Sequence, residues 1–291
     1  MHPDMIHFLA RSTKHLRPLF VNRQAGVGAF DIDSSPEREW NIRINEDVKR
    51  KQVTLVGSIL PDPNSLFEIL TAFRVLRENK SLNPFLVVPY LAYARQDHIA
   101  KPGEAAIGIM IAETLRNLNP SSLFVLDVHS RSVIDALGPN AVELSALPLF
   151  ARTLLDDEPV DVIVAPDQGA TGRAKMLAEL VGAEVAVIEK IHPKPNVTQA
   201  KSISRDISGK HVVIVDDLID TGGTIIEAVR LVSKRGASSI RVAATHGLFS
   251  NDAREKLAAL PIRRLYVTNS IAQERHPNIT VLDITPMLLS L

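Results

Sequence analysis

The chain contains no cysteine. That excludes disulfide staples, a thiolate nucleophile and any cysteine-ligated zinc, and it is compatible with a reducing compartment. Net charge is absent too. Lys and Arg number 33, as do Asp and Glu, so no global field recruits nucleic acid or an anionic membrane. The short basic run "KRK" (49–51) reads as a solvated turn. Long apolar runs are also missing: the longest, "FLVVPYLAYA" (85–94), is too short to span a bilayer and carries a proline. The first twenty residues hold no continuous apolar segment of the secretory kind. No G-x-x-x-x-G-K-[ST] occurs, which leaves a P-loop kinase without support. The expectation is a soluble, cytoplasmic protein with neither nucleic-acid nor membrane partners.

What is present is regular alternation. Apolar runs at 53–57, 86–90, 123–128, 160–166, 184–190, 211–215, 240–246 and 265–269 read as strands. Most are unbroken, as parallel strands covered on both faces should be. Between them lie helix candidates at Ser65–Glu78, Glu104–Leu118, Thr171–Leu180, Thr224–Lys234 and Asp252–Leu260. In the fourth, Ile225, Ala228, Val229 and Val232 fall on one apolar stripe. The alternation predicts an α/β protein with parallel strands and helices on both faces. "VTLVGSILPDPNSLFEILTAFRVL" and "VVIVDDLIDTGGTIIEAVRLV" share one plan of strand, polar turn, amphipathic helix and strand. That echo predicts two similar domains with a boundary near 140–150, where "ALGPNAVELSALP" interrupts the pattern. One large sheet with ordinary βαβ repetition is the alternative.

Only the second copy carries the adjacent acids and the glycine pair. Asp216 and Asp217 stand where an apolar run ends, the place at which open α/β sheets bind ligands. Asp220, Thr221, Gly222, Gly223 and Thr224 follow, directly before a helix. Glycines let successive N–H groups converge, and a helix N-terminus adds partial positive charge, which together suit a phosphate. The carboxylates cannot hold that phosphate, but they can accept hydrogen bonds from a sugar diol or bind Mg²⁺. One ligand with a diol at one end and a phosphate at the other answers both demands, and ribose 5-phosphate has that form. The structural alternative is an ordinary βα turn capped by Thr221 or Asp220.

This string resembles the phosphoribosyl diphosphate (PRPP) binding motif of type I phosphoribosyltransferases and of ribose-phosphate diphosphokinases, the PRPP synthetases. "VPYLAYARQDHIAKPGE" (88–104), "LDVHS" (126–130), "APDQGATGRAK" (165–175), "KIHPKPNV" (190–197), "THGLFS" (245–250) and "VTNSI" (267–271) are similar to the synthetase family in that family's order. The resemblance spans approximately residues 40–291. It implies two tandem type I phosphoribosyltransferase-like domains, each a mostly parallel sheet flanked by helices. Residues 1–146 would form the ATP side and 147–280 the ribose 5-phosphate side, with 281–291 a tail packing back on the first domain. The implied reaction moves the β,γ-diphosphoryl group of ATP to the anomeric hydroxyl of ribose 5-phosphate, giving PRPP and AMP. Mg²⁺ is the implied cofactor, and a homo-oligomer, dimer or hexamer, the implied assembly.

The same resemblance assigns residues. Arg95, Gln96 and Asp97 line the ATP site; His129, with Asp127 nearby, is a Mg²⁺ ligand or ATP contact. Asp167 is a metal-binding or ribose-side acid. Asp216, Asp217 and Asp220 hold ribose or metal, and Thr221 to Thr224 the 5-phosphate. Lys190 matches the lysine of a mobile catalytic loop. Taken alone, these residues have plainer readings: an Arg95–Asp97 ion pair, a hydrogen-bonded structural His129, and helix capping by Asp167 or Thr171.

Two stretches depart from the family. His192 stands where the catalytic loop carries arginine; it is only partly charged near neutral pH and lacks the guanidinium fork. Losing such a cation costs roughly 10³-fold or more in related phosphoryl transfer. The amino-terminal "FDIDSSPEREWNIRI" (30–44) replaces the family's Phe-x-Asp-Gly-Glu, with Phe30, Asp33 and Glu39 as the residues nearest to its ATP-binding roles. Trp40 is a candidate to stack on adenine, although a single tryptophan is more often an interface or core packing residue. These departures keep open a second reading, a catalytically weak relative that regulates a true synthetase by co-assembly. A third, a PRPP-using phosphoribosyltransferase, shares the glycine motif but leaves the amino half unexplained.

Overall fold

The computed structural model describes residues 5–34, 39–191 and 200–291. The chain divides into two compact units. One comprises Met1–Leu144 with Ser270–Ala272 and Asp283–Leu291, the other Ser145–Asn269 with Gln273–Leu282.

In the first unit, β1 (Ile6–Leu9), α1 (Arg17–Asn22) and β2 (Gly26–Gly28) precede a two-stranded hairpin, β3 (Phe30–Ser34) and β4 (Trp40–Ile44). β5 (Gln52–Val56), α2 (Pro63–Glu78), β6 (Leu82–Val88), α3 (Ile107–Asn117), β7 (Ser122–Leu126), α4 (Arg131–Leu137) and β8 (Ala141–Leu144) follow. Its main sheet has the order β2-β1-β5-β6-β7-β8, all parallel.

The second unit runs α5 (Leu147–Asp157), β9 (Val162–Ala165), α6 (Thr171–Val181), β10 (Glu184–Ile191), β11 (Ala200–Ile203), β12 (His211–Ile219), α7 (Gly223–Lys234), β13 (Ser239–Gly247), α8 (Ala253–Ala258), β14 (Arg264–Thr268) and β15 (Ile279–Leu282). Its sheet order is β11-β10-β9-β12-β13-β14-β15, parallel except for β11 against β10. The short α9 (Thr285–Leu288) lies in the tail, which joins the first unit; Arg23 pairs with Asp283 there at 2.7 Å.

The apolar pattern explains the layers. Val212, Val213, Ile214 and Val215 of β12 are all fully buried, as a strand covered on both faces requires. The stripe Ile225, Ala228, Val229 and Val232 of α7 packs into the same core as Val212, Ile214, Val242 and Val267. The internal echo is architectural. β5–α2–β6–α3–β7 and β12–α7–β13–α8–β14 occupy corresponding successive places in two separate sheets.

Several boundaries differ from the sequence expectation. β12 does not stop at Val215: pairing with β13 continues through Asp216 opposite Ala244, Leu218 opposite His246 and Ile219 opposite Gly247. Asp216 and Asp217 therefore lie inside a strand and not beyond its end, because ladder hydrogen bonds are indifferent to side-chain polarity. β10 likewise runs on to Ile191 and pairs back with β11, placing Lys190 opposite Lys201. The supposed interruption at 136–148 is an edge strand, β8, and the start of α5. The division falls between Leu144 and Ser145, and Ser270–Ala272 belongs to the first unit, not the second. The hairpin and the short strands β1 and β2 escaped the pattern because three to five residues carry too little periodicity. Trp40 packs edge-on against Phe67, with ring centroids 5.8 Å apart, beneath the Arg11 guanidinium at 5.0 Å. Among the described residues no helix is long and apolar enough to cross a membrane.

Candidate active site

The turn after β12 is built to present backbone. Gly222 has φ 76°, the left-handed region that side chains resist, and it is the N-cap of α7. A cap without a side chain cannot satisfy the first-turn amides, and no side-chain capping bond is made there. Those N–H groups have no carbonyl four residues back within the helix. A Cβ on Gly223 would meet nothing nearer than the Thr221 hydroxyl at 3.9 Å, and Thr221, Gly223 and Thr224 are exposed. The capping alternative, with Thr221 or Asp220 as the cap, is therefore not what the chain adopts.

Asp167 contrasts with this arrangement. Its Oδ1 accepts the Ala170 N–H at 3.1 Å, a turn contact just before α6; the cap itself is Ala170 and no side chain caps the helix, so Asp167 is not the helix cap either. Thr171 is the first residue of α6 and not its cap.

Residues to which sequence reasoning gave no individual role support the glycine turn from below. The Ile219 carbonyl accepts the Leu248 and Phe249 N–H groups at 2.9 and 3.1 Å, and the Asp220 carbonyl accepts Ser250 N–H at 3.0 Å. Phe249 is left-handed at φ 51° and lies under the Arg254 guanidinium, 4.4 Å from the ring centroid. Arg254 donates to Gln273 Oε1 at 2.9 Å, and Gln273 Nε2 donates to the Gly247 carbonyl at 2.6 Å. These hydrogen bonds join residues 19 to 30 positions apart, which is why no local signal connected them.

The acids are electrostatically crowded. Burial, the neighbouring Asp217 charge and its hydrogen bond, and more weakly Asp167, push the Asp216 carboxyl up to about 8. Asp217 is buried, with Arg173 Nη2 at 3.9 Å from its Oδ1. The unfolded chain ionises Asp216 near pH 3.8 whereas the fold holds its proton to about pH 8, so the native state binds more protons between those values. Stability of the ligand-free protein is thus greatest below pH 4 as far as this group is concerned, and its contribution is lost as pH rises toward 8. Asp216→Asn should flatten that slope in urea titrations at successive pH values; an unchanged slope would contradict the assignment.

The first unit assembles a different cluster. After β6 the chain bridges at Leu91 to Ile59, beyond the end of β5, then turns, with Tyr93 left-handed at φ 65°. The Gln96 carbonyl accepts the Gly108 N–H at 2.9 Å. A Cβ on Gly108 would lie 2.7 Å from the Tyr93 carbonyl, so glycine lets α3 carry this turn. Arg95 and Gln96 are exposed, while Asp97 turns toward α4. Asp97 Oδ2 accepts from Ser130 at 2.5 Å and Ser132 at 2.9 Å, and its Oδ1 lies 2.6 Å from His98 Nδ1. The Ser130 hydroxyl first, then the His98 ring and the Ser132 hydroxyl, hold the Asp97 carboxyl well below the usual range. The plain Arg95–Asp97 ion pair is not the contact that engages this carboxylate. His129 is exposed just beyond β7. Before it, Asp127 is buried and left-handed at φ 39°, its N–H bonded to the Leu144 carbonyl, and Val128 N–H donates to Glu143. Edge strand β8 thus fixes the histidine loop.

Other expected residues stand apart. Phe30 opens β3 and packs on the buried Phe8 ring at 5.0 Å; Glu39 is exposed just before β4, and Asp33 faces Arg43 at 3.2 Å. His192 lies outside the described residues. Among the described residues no group of three or more His, Asp or Glu side chains is gathered to hold a metal ion.

Comparison with known proteins decides the relationship. A family model described as the N-terminal domain of ribose phosphate pyrophosphokinase matches residues 11–118, and one for the phosphoribosyl transferase domain matches residues 146–269. A ribose-phosphate pyrophosphokinase of Pyrococcus furiosus is 33% identical over 97% of this chain and 99% of its own. The chain belongs to the ribose-phosphate pyrophosphokinase family. The pyrophosphokinase of Aquifex aeolicus is 30% identical, covering 88% of this chain and 84% of its own. The fold agrees: a crystal structure of phosphoribosylpyrophosphate synthetase from Mycobacterium smegmatis superposes with a TM-score of 0.87 at 27% identity, over 99% of this chain and 97% of that one. Family membership thus extends over both units of this pyrophosphokinase-like chain.

Proposed function

We propose that the protein is a ribose-phosphate diphosphokinase: it transfers the diphosphoryl group of ATP to the anomeric hydroxyl of ribose 5-phosphate, giving PRPP and AMP. The observation that carries this reading is the glycine-led N-terminus of α7, with no side-chain cap, beside the buried Asp217 and half-buried Asp216 carboxylates. First-turn amides of Gly222 to Thr224 take the 5-phosphate, and Asp216, Asp217 and Asp220 take the ribose hydroxyls. Arg95, Gln96 and His129 in the first unit take the ATP phosphates. In the reaction the anomeric oxygen attacks the β-phosphorus and the bond to the α,β-bridging oxygen breaks. AMP leaves with that oxygen, and the hydroxyl proton passes to solvent.

Mg²⁺ fits the donors. Asp216 and Asp217, with the free oxygen of Asp167, are hard ligands in a region of excess negative charge, and His129 is a further candidate in the first unit. Mg²⁺ keeps most of its shell for water and substrate phosphate and needs only one or two carboxylates. When bound it would neutralise charge on the phosphates being transferred. A homo-oligomer, dimer or hexamer, and a cytoplasmic setting belong to the same proposal.

The test is AMP formation from ATP and Mg²⁺ with and without ribose 5-phosphate. AMP that depends on ribose 5-phosphate supports the proposal. Binding of both ligands without turnover would instead identify a regulatory relative, and PRPP consumption with a nucleobase a phosphoribosyltransferase. Lys190 and His192 are the loop residues assigned to transition-state charge. If His192 is a weak substitute for arginine, His192→Arg should raise kcat by about tenfold or more with little change in either KM; an unchanged kcat would remove that position from the chemistry.

A further inference from the structure

We propose that Asp97 is a positioning residue that locks the histidine loop after β7 to the Arg95–Gln96 turn after β6, and not an ATP contact. The inference rests on the reading of the first unit as the ATP side and goes beyond it by giving Asp97 a different role from its two neighbours.

Ser130 carries the argument. It is the N-cap of α4, with the extended backbone of a cap (φ −127°, ψ 133°), yet makes no side-chain capping bond. A serine there normally accepts an amide proton from the first turn. Its hydroxyl instead donates to Asp97 Oδ2 at 2.5 Å, and Ser132, in the first turn of α4, donates to the same oxygen at 2.9 Å. The two hydroxyls lie 2.7 Å apart, gathered on one acceptor. Hydrogen bonds to an ionised acceptor are about twice as strong as neutral ones, so the carboxylate sets the orientation of both hydroxyls. The other oxygen, Oδ1, lies 2.6 Å from the His98 ring. Asp97 is therefore occupied on both oxygens by the protein itself.

The consequence is geometric. His129 is covalently adjacent to Ser130, and Gln96 to Asp97. The junction fixes the spacing between exposed His129 and exposed Arg95 and Gln96, from elements 33 and 35 residues apart. Gly108 under the turn and Glu143 on the Val128 N–H brace the two sides. A misplacement of about 1 Å at such groups can cost about 10²-fold in rate.

A double-mutant cycle tests this. Asp97→Ala, the pair Ser130→Ala/Ser132→Ala, and the combination are compared for kcat/KM with ATP and for ATP affinity by calorimetry. Each half of the junction should lower kcat/KM by about 10- to 100-fold, and the combination should be no worse than the poorer half, since partners in one network do not add. Ser130→Thr/Ser132→Thr should restore most of the rate by returning both hydroxyls. The KM for ribose 5-phosphate should not move. Asp97→Asn, which keeps one acceptor oxygen, should fall between and serves if Asp97→Ala does not fold. Losses that multiply, or a silent serine pair, would show that Asp97 meets the ligand directly and overturn the proposal. So would variants that melt earlier while keeping full kcat. If the wild-type protein binds ATP but makes no AMP, the diphosphokinase reading fails while the cycle is still read in ATP affinity. Absence of ATP binding sinks both.

Discussion

Gly222→Val should raise the KM for ribose 5-phosphate by about 100-fold or more while leaving ATP affinity unchanged. At φ 76° a β-branched residue is a backbone outlier. Left-handed geometry costs a side-chain-bearing residue roughly 1–2 kcal/mol, so the turn should relax by swinging out of that region and carry the first-turn amides of α7 with it. The space around a new Cβ is not the obstacle, since Ile226 and Leu257 would stand at an ordinary 3.5 Å. Gly223→Ala is the companion. Its Cβ meets open space and its φ is not in the left-handed region, so the fold should be kept. The added methyl would stand where the phosphate approaches. A loss of ribose 5-phosphate binding in Gly223→Ala at unchanged melting temperature separates a ligand cradle from a structural turn. If both variants bind the sugar phosphate like the wild type, the cradle lies elsewhere.

The second large effect concerns stability. Arg241→Ala should destabilise the protein by roughly 3–5 kcal/mol, lowering the melting temperature by about 10 °C. Arg241 on β13 is fully buried. Its Nη2 donates to the Glu158 and Pro159 carbonyls at 3.2 and 2.7 Å, and its Nη1 lies 3.5 Å from Asp157 Oδ2. Tyr266 donates its hydroxyl to the same Asp157 oxygen at 2.6 Å. Burial, then this contact with Asp157, push the Tyr266 phenol up to about 12, and the Tyr266 hydroxyl is the chief cause that lowers Asp157. The arginine thus ties the end of α5 to two central strands. Asp157 keeps about a third of its side chain in water, so most of the loss comes from the two carbonyls left without their donor and the cavity left by the side chain. Calorimetric melting checks the figure, and kcat at 25 °C should survive in the folded fraction. A cost below about 1 kcal/mol would mean that water replaces the guanidinium without penalty.

Much of this was legible in the sequence. The buried strands were visible because both faces are covered, which produces unbroken apolar runs such as 212–215. The α7 stripe, the glycine turn and the tandem echo follow from periodicity and local chemistry. What was hidden has a common cause: it depends on partners distant in the chain. The end of β12 was misplaced because β13 pairs with it past the apolar run. Asp97 looked like a neighbour of Arg95, yet besides the adjacent His98 its partners are 33 and 35 residues away. Glu143 and Gln273 support loops that no local pattern connects with them. Asp167 shows a local rule giving way: its carboxylate holds the Ala170 N–H, yet the cap of α6 is Ala170 and carries no side-chain bond.

The most direct test of the central claim is a crystal structure with ribose 5-phosphate bound. The account predicts the phosphate within hydrogen-bonding distance of the Gly222, Gly223 and Thr224 amides, with the sugar hydroxyls turned toward Asp216 and Asp217. A well-ordered sugar phosphate bound elsewhere, with those amides facing only solvent, would contradict it.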